Sequence, residues 1–414
     1  MTRIVITGMG AVCSVGHNVP QMWENIKNGV SGIGKITRFD ASALDTQIGG
    51  EVRDWDPTQW LGSKASRRMD RYSQFAIVAA LEAAEQANYQ ITPENTFDTA
   101  VIIGAGFGGS ETMSEGFDTF YKRGPKKVLP HSFPSVLPNM GAAQVAMHMG
   151  IRGQNYSIAA ACATGAVCIG EGAELIKRGD AQVVFAGGSE AGFASFVVAG
   201  LNAMRALSTR NHDPLHASRP FDRERDGFVP SEGAAVVLME SLEHAQARGA
   251  HILAELVGYQ SSCDASHVSA PDPEGTAVAW AMRRALHKAG IMPQEIDYIN
   301  AHGTSTQMND AQESRVIKQV FGDYAYQIPV SSTKSMTGHA MSSSGSIEAI
   351  ISIMAIRDGI MPPTINYEYP DPECDLDYIP NEARRKTLHY VMSNSFGFGG
   401  QNAVLIFKKW QNGG

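Results

Sequence analysis

Cysteine is scarce, with five residues at positions 13, 162, 168, 263 and 374 of a 414-residue chain. An odd count without a CxxC spacing excludes a disulfide framework and a cysteine zinc site, and it fits a reducing compartment. Charge is also sparse, at 18% of residues, where about a quarter is usual. With 43% hydrophobic residues, that balance excludes disorder and points to a large core or a subunit interface. No apolar run approaches the roughly 20 residues that span a bilayer. The opening MTRIVITGMG shows no charged stretch followed by an apolar one, so no secretory signal is expected. Acidic residues outnumber basic ones, 42 to 34, giving a net charge of −8, which argues against a general nucleic-acid binder. These absences together predict a cytoplasmic protein that does not enter membranes.

Glycine, by contrast, is abundant at 42 residues, as tight turns and close backbone approaches require. Arg3 to Thr7, Ala100 to Ile103, Val183 to Ala186 and Ala235 to Met239 read as short buried strands. Residues 70–88 and 165–178 carry helical spacing. The pattern then restarts, with strands at Ile252 to Gly258, Ile296 to Asn300 and Ala403 to Phe407, and helices at 277–290 and 344–358. This alternation predicts an α/β protein. The element order predicts a duplication, with one half over 1–250 and a second over 251–414. No residue-level repeat and no Pro/Ser linker divides them, so the halves are expected to pack as one body.

Four segments carry residue types suited to chemistry. In Ser157-Ile-Ala-Ala-Ala-Cys162-Ala-Thr-Gly, small residues lead into a helix beginning near Cys162. The helix N-terminus would favour a thiolate there; the competing reading is a buried small-residue packing site. Cys168, further along the helix, reads as inert core. Asn300-Ala-His302-Gly-Thr304-Ser-Thr306, Ser331-Ser-Thr-Lys334-Ser-Met-Thr-Gly-His339 and Asn394-Ser-Phe396-Gly-Phe398-Gly399-Gly400 each place polar or glycine residues at a strand's C-terminal end, where ligand sites gather in α/β proteins. A lone histidine there is more often structural. Two histidines with a lysine and a cysteine supply a nucleophile and two neutral imidazole donors. Gly104-Ala-Gly106-Phe107-Gly108-Gly109 satisfies GxGxxG but lacks the acidic strand end about 20 residues later that a dinucleotide site needs. Its glycines read instead as a close approach at an interface or tunnel.

These motifs resemble the elongating β-ketoacyl-acyl carrier protein synthases, which have the thiolase fold. The likeness runs from VITGMGAV to SNSFGFGGQNAVLIFKK and includes ACATGA, AHGTST, SSTKSMTGH, ALSTRN and SRPFDRERDGFV. RFDASALDTQIGGEV and MDRYSQFAIVAALEAA are nearest to the type II enzymes. The resemblance implies a duplicated five-layer α-β-α-β-α architecture. It also implies decarboxylative condensation through an acyl-Cys162, with chain extension by two carbons. On the same basis, His302 and His339 stabilise the enolate, and the backbone N–H groups of Cys162 and Phe398 form the oxyanion hole. Phe396, Phe398 and Gly399 belong to a gating loop. Lys334 is expected to pair with Glu313 and organise the histidines, with Asp310 in support. Thr304, Thr306 and Phe107 are expected to contact substrate. Lys64, Arg67, Arg68, Lys126, Lys127 and Arg205 fall where the family docks its acidic acyl carrier protein. A homodimer is implied, with a heterodimer as the alternative. No metal or organic cofactor is implied, because the malonyl carboxylate supplies the driving force.

Two stretches depart from the family wording. Where Pro-x-Gly-Asp is usual after HGTST, this chain has Gln307-Met308-Asn309-Asp310. Where two bulky residues and Gly-Ala-Ala-Gly usually follow TGH, it has Ala340-Met341-Ser342-Ser343-Ser344-Gly345. Phe107 stands where the type II family more often has Ile at the back of the acyl tunnel. A phenyl ring there would favour short, or flat unsaturated, chains. The alternatives weighed are a ketosynthase of a specialised polyketide or polyene pathway, a degradative thiolase, a non-catalytic carrier-binding subunit and a dinucleotide-dependent oxidoreductase. A thiolase would need a second catalytic cysteine near the C-terminus, and none follows position 374. A non-catalytic subunit would have lost Cys162 or a histidine.

Overall fold

The computed structural model describes residues 2–411. Ten strands form its large sheet: β1 (Ile4–Cys13), β2 (Thr99–Gly104), β3 (Asn155–Tyr156), β4 (Val183–Glu190), β5 (Gly233–Ser241), β6 (Ala254–Cys263), β7 (Tyr298–Asn300), β8 (Val330–Ser331), β9 (Tyr390–Gly397) and β10 (Gln401–Lys409). Across the sheet the order is β8-β7-β9-β10-β6-β1-β5-β4-β2-β3. Strands β1 to β5 are therefore arranged as β6 to β10 are: each set of five, renumbered from one, reads 3-2-4-5-1. In both sets the first strand pairs antiparallel with the fifth and the fifth antiparallel with the fourth. The fourth then pairs parallel with the second, and the second parallel with the third. The two sets join where Ile4, Val5 and Ile6 of β1 pair with Leu256, Glu255 and Ala254 of β6.

Two helices lie between the sets. Thr164–Arg178 packs on β4 and β2, and Ser344–Asp358 packs on β9 and β5; the two also touch each other. Every residue of the second from Ser344 to Ile356 is buried, as a helix apolar on all sides must be. Arg71–Gln86 covers β1 and β5 from outside, and Thr276–Ala289 covers β6 and β10. Outer helix, sheet, inner helices, sheet and outer helix make the five layers. The helices expected at 70–88, 165–178, 277–290 and 344–358 all form, within two residues of those limits. Among the described residues, no helix is long and apolar enough to cross a membrane.

Strand β1 runs to Cys13, beyond the expected Thr7, because Gly8 and Gly10 bring its backbone against the helix Arg71–Gln86. A Cβ on Gly8 would lie 2.0 Å from the Ala83 carbonyl oxygen, and one on Gly10 would lie 1.9 Å from that of Ala79. Both neighbours are backbone, so neither can turn aside. Gly10→Ala is therefore expected to cost about 2–3 kcal/mol of stability through forced separation of helix and strand. A denaturation midpoint equal to that of the unmodified protein would contradict this packing.

Each inner helix is preceded by a 3₁₀ turn with the same strain. Ala161–Ala163 leads into Thr164, and Met341–Ser343 leads into Ser344. Ala161 has φ +46° and Met341 has φ +47°, a region that residues with a Cβ seldom adopt. The first turn carries Cys162 and the second carries Ser342.

Candidate active site

Cys162, His302 and His339 line one cavity of about 380 Å³. Cys162 arrives on the strained turn before Thr164–Arg178, His302 on the loop after β7, and His339 at the end of the segment after β8. All three are buried. The rings of His302 and His339 stand 5.4 Å apart at 84°. Phe228 packs edge-on to His339 at 5.1 Å, and Phe396 lies 5.4 Å from His302. Backbone bonds pin the imidazoles from behind. The His302 N–H donates to Glu313 Oε1 at 2.9 Å. The His339 N–H donates to the Val229 carbonyl at 2.8 Å, and its carbonyl accepts from Ser231 at 2.9 Å.

Lys334 does not pair with Glu313, contrary to the sequence expectation. Its ammonium is bound to the carboxylate of Glu348, with both side chains almost fully buried. It also donates to the His302 carbonyl at 2.7 Å and sits 3.4 Å from His302 Nδ1. Glu313 serves the backbone instead, accepting from the N–H groups of His302 and Gly303 and from Asn394 Nδ2 at 3.0 Å. The reason is geometric: Glu313 lies behind the His302 loop, and Glu348 rises from the inner helix beneath Lys334. Glu348 had a signal in the sequence. It is the single charged residue in the buried run Ser344 to Ile356, and a buried carboxylate demands a partner. Asn394 opens the fourth of the chemistry-bearing segments, but nothing in the sequence pointed to Glu313 as its partner.

Burial first, then the Lys334 charge, hold His302 and His339 well below the usual histidine range. Both imidazoles are neutral at neutral pH. Burial pushes the Glu348 carboxyl up to about 7, against the pull of Lys334, and it pushes Glu313 to about 7 as well. For Cys162 the expected thiolate gives way to a thiol. Burial drives the group up to about 11, with the Lys334 charge and the backbone N–H of Phe398 acting in the opposite direction. The turn at 161–163 sets Cys162 ahead of the helix proper, in a closed apolar cluster with Val198, Leu201 and Met341.

The remaining residues fall into three groups. Thr304, Thr306, Phe396 and Phe398 line the cavity with the catalytic candidates, and Arg205 stands at its exposed mouth. The hydroxyls of Thr304 and Thr306 are 2.9 Å apart, and Thr306 caps the helix Gln307–Phe321. Gly399, at φ +81°, forms the turn beside them and donates its N–H to the Val268 carbonyl. Gln307, Met308 and Asn309 also line the cavity. Asp310 is buried behind them and accepts from the N–H groups of Phe221 and Ser305. Lys64, Arg67, Arg68, Lys126 and Lys127 are exposed and lie outside this cavity.

Phe107 is not among the cavity residues; its side chain is 41% exposed in the single chain. A plug at the closed end of a tunnel is thus not formed within one chain. The glycine loop around it wraps a protein carboxylate. The N–H groups of Gly106 and Phe107 donate to buried Glu190, which also accepts from Ser342 Oγ at 2.7 Å. A Cβ on Gly106 would lie 2.8 Å from Glu190 Oε2, so the close approach at this glycine is to a protein carboxylate rather than a dinucleotide.

A buried thiol raised to about 11 gives a definite pH response. Its thiolate fraction, and so its alkylation rate by iodoacetamide, should rise about tenfold per pH unit between 7 and 9. Mass spectrometry of the Cys162 peptide measures this. A rate already level near pH 7 would show a resting thiolate and contradict the burial argument.

Comparison with known proteins agrees with the site. The beta-ketoacyl synthase N-terminal domain matches residues 1–245 and its C-terminal domain residues 253–368. A 3-oxoacyl-[acyl-carrier-protein] synthase 2 of Synechocystis sp. is 46% identical over 409 residues, 99% of this chain and 98% of the relative. That of Staphylococcus aureus (strain COL) is 48% identical over 410 residues, 99% of each. Among solved structures, a type II polyketide ketosynthase in complex with its acyl-carrier protein aligns with a TM-score of 0.91 at 35% identity, covering 99% of this chain and 100% of that one. A beta-ketoacyl synthase from Burkholderia phymatum aligns with a TM-score of 0.92 at 34% identity over the same shares. The thiolase-like α/β architecture and the resemblance read from the motifs are both borne out. This chain belongs to the β-ketoacyl synthase family.

Proposed function

We propose that the protein is an elongating 3-oxoacyl-acyl carrier protein synthase. The observation that carries the reading is the single cavity holding Cys162 and two neutral, buried histidines, in a chain that matches synthase 2 relatives over nearly its whole length. Cys162 sulfur attacks the thioester of an acyl-carrier protein. The carrier thiol leaves with the cysteine proton, and the chain stays on Cys162. Malonyl-carrier protein then enters. Its carboxylate departs as CO2, and the bonding pair moves into an enolate whose oxygen accepts from His302 and His339. The enolate carbon attacks the acyl-Cys162 carbonyl, and the resulting oxyanion accepts from the backbone N–H groups of Cys162 and Phe398. Collapse expels the Cys162 thiolate and leaves a 3-oxoacyl chain, two carbons longer, on the carrier. Loss of CO2 supplies the driving force, and no organic cofactor enters the scheme. Thr304 and Thr306 contact the incoming carrier arm. Phe396, Phe398 and Gly399 act as the gate, with Asp310 and Glu313 bracing the loops that hold it.

The acidic carrier docks on Lys64, Arg67, Arg68, Lys126, Lys127 and Arg205, which are exposed on a chain that is otherwise net negative. Exposed Phe107, Met113, Phe117, Phe120 and Phe133 are apolar surface of the kind a second copy covers, which supports a homodimer. Residues 1–250 and 251–414 are the two halves of a duplication, a reading supported by the repeated strand order. The compartment is cytoplasmic, in keeping with the unpaired cysteines.

The second reading, a ketosynthase of a polyketide or polyene pathway, is favoured by Gln307, Asn309 and the serine run at 342–344. Among solved structures, an ishigamide ketosynthase/chain length factor is 34% identical with a TM-score of 0.92. One assay addresses both readings. The protein is mixed with malonyl-carrier protein and a ladder of saturated, unsaturated and 3-oxo acyl carriers, and carrier masses are read. Two-carbon extension that disappears in Cys162→Ala is expected. Extension of saturated chains marks the fatty-acid enzyme, and extension of unsaturated or oxo chains alone marks the second reading. No extension of any chain by folded protein would overturn both.

A further inference from the structure

We infer that Ser342 limits the acyl chain held on Cys162 to short lengths, by tying the floor of the acyl seat to Glu190. The inference rests on the condensation proposed above and narrows its substrate. Cys162 has two surroundings. It lines the open cavity, which carries polar Thr304, Thr306, Asn309 and Gln312. It also belongs to a buried apolar cluster with Ala194, Val197, Val198, Leu201 and Met341. A hydrocarbon chain on the sulfur leaves water by entering that cluster.

The cluster has a knot directly behind Met341. The turn Met341–Ser343 packs against the turn that carries Cys162 and against β4. Ser342 Oγ donates to Glu190 Oε2 at 2.7 Å, and the Ser189 carbonyl lies 3.1 Å from the same hydroxyl. Glu190 in turn accepts from the N–H groups of Gly106 and Phe107. One carboxylate thus ties the turn, the end of β4 and the glycine loop together. Ser342, Ser189 and Glu190 are all fully buried. Among the described residues Glu190 has no cationic partner, so these donors are what stabilise its charge. Burial pushes its carboxyl up to about 7, and the Ser342 hydroxyl is the strongest of the bonds opposing that rise.

The backbones on either side are already in contact. A Cβ on Gly188 would lie 2.3 Å from the Ser342 carbonyl oxygen. A chain long enough to pass Met341 must therefore part the turn from the glycine loop. Doing so leaves a buried carboxylate short of one donor, which is costly. The family wording has glycine where this chain has Ser342, and glycine has no hydroxyl to make the link. The two serines that follow do not replace it. Ser343 donates to the Ala340 carbonyl, and Ser344 faces His339 Nδ1, so both stay within their own segment. Only Ser342 of the three crosses to the first set of strands.

The test is the loading of Cys162 from saturated acyl-carrier proteins of increasing length, without malonyl-carrier protein, read by intact mass. Loading of the unmodified protein is expected to be fast for short chains and to fall sharply beyond one length. In Ser342→Gly that length should rise by at least one two-carbon step. Loading of the first excluded chain should increase about tenfold, as expected for loss of one buried hydrogen bond to a charged group. Loading of short chains should stay within about twofold. Ser342→Ala also lacks the hydroxyl, should shift the profile in the same direction, and serves if the glycine variant does not fold. An unchanged profile in a folded variant would overturn the inference, and so would a variant that alters every length alike. Unmodified protein that loads all lengths equally, or none, would overturn it as well. A length-limited protein that loads chains but never extends them would count against the condensation reading alone.

Discussion

Lys334 and Glu348 are both almost fully buried, and neither charge is tolerable there alone. Their pairing allows an ammonium to sit beneath two imidazoles in the interior. From that position Lys334 holds the His302 loop through its carbonyl, faces Nδ1 of the same ring, and adds its charge to the burial that keeps both histidines neutral. A neutral imidazole facing such a cavity is a hydrogen-bond donor ready for developing negative charge. The catalytic potential of the site thus depends on an ion pair that touches neither the nucleophile nor the substrate. Three elements converge to make it: the segment after β8, the loop after β7 and the inner helix Ser344–Asp358.

The scaffold is symmetric and the site is not. Both sets of strands run in the same order, and each delivers a strained turn to the start of an inner helix. The first turn presents Cys162 to the cavity. The second presents Ser342 to Glu190, in the interior, and so becomes a structural clasp for the glycine loop at 104–109. The histidines come from the second set of strands and the cysteine from the first. The cavity therefore exists only because the two sets pack against each other across the inner helices.

Much of this was legible in the sequence. The inner helix at 344–358 could be read because isoleucine and methionine recur through its turns and a glycine, Gly359, follows it. His302, Lys334 and His339 could be placed because each lies in a polar run directly after an apolar strand. What failed was pairing. Glu313 and Glu348 are both buried acids near the site, and linear order does not say which one faces a lysine. The thiolate expected at Cys162 failed because a sequence displays a helix start but not the closure of the apolar cluster around it, and here burial outweighs the dipole. Phe107 could be assigned to a tunnel only by analogy, since its surroundings depend on what covers the exposed face.

The most direct test of this account is Glu348→Gln, which keeps the shape of the side chain and removes its charge. Decarboxylation of malonyl-carrier protein, followed as CO2 release, should fall by about 10- to 100-fold. Formation of acyl-Cys162, followed by intact mass, should persist in the folded protein. Decarboxylation at the unmodified rate by a folded Glu348→Gln protein would show that the imidazoles do not depend on the buried pair, and would contradict the account at its centre.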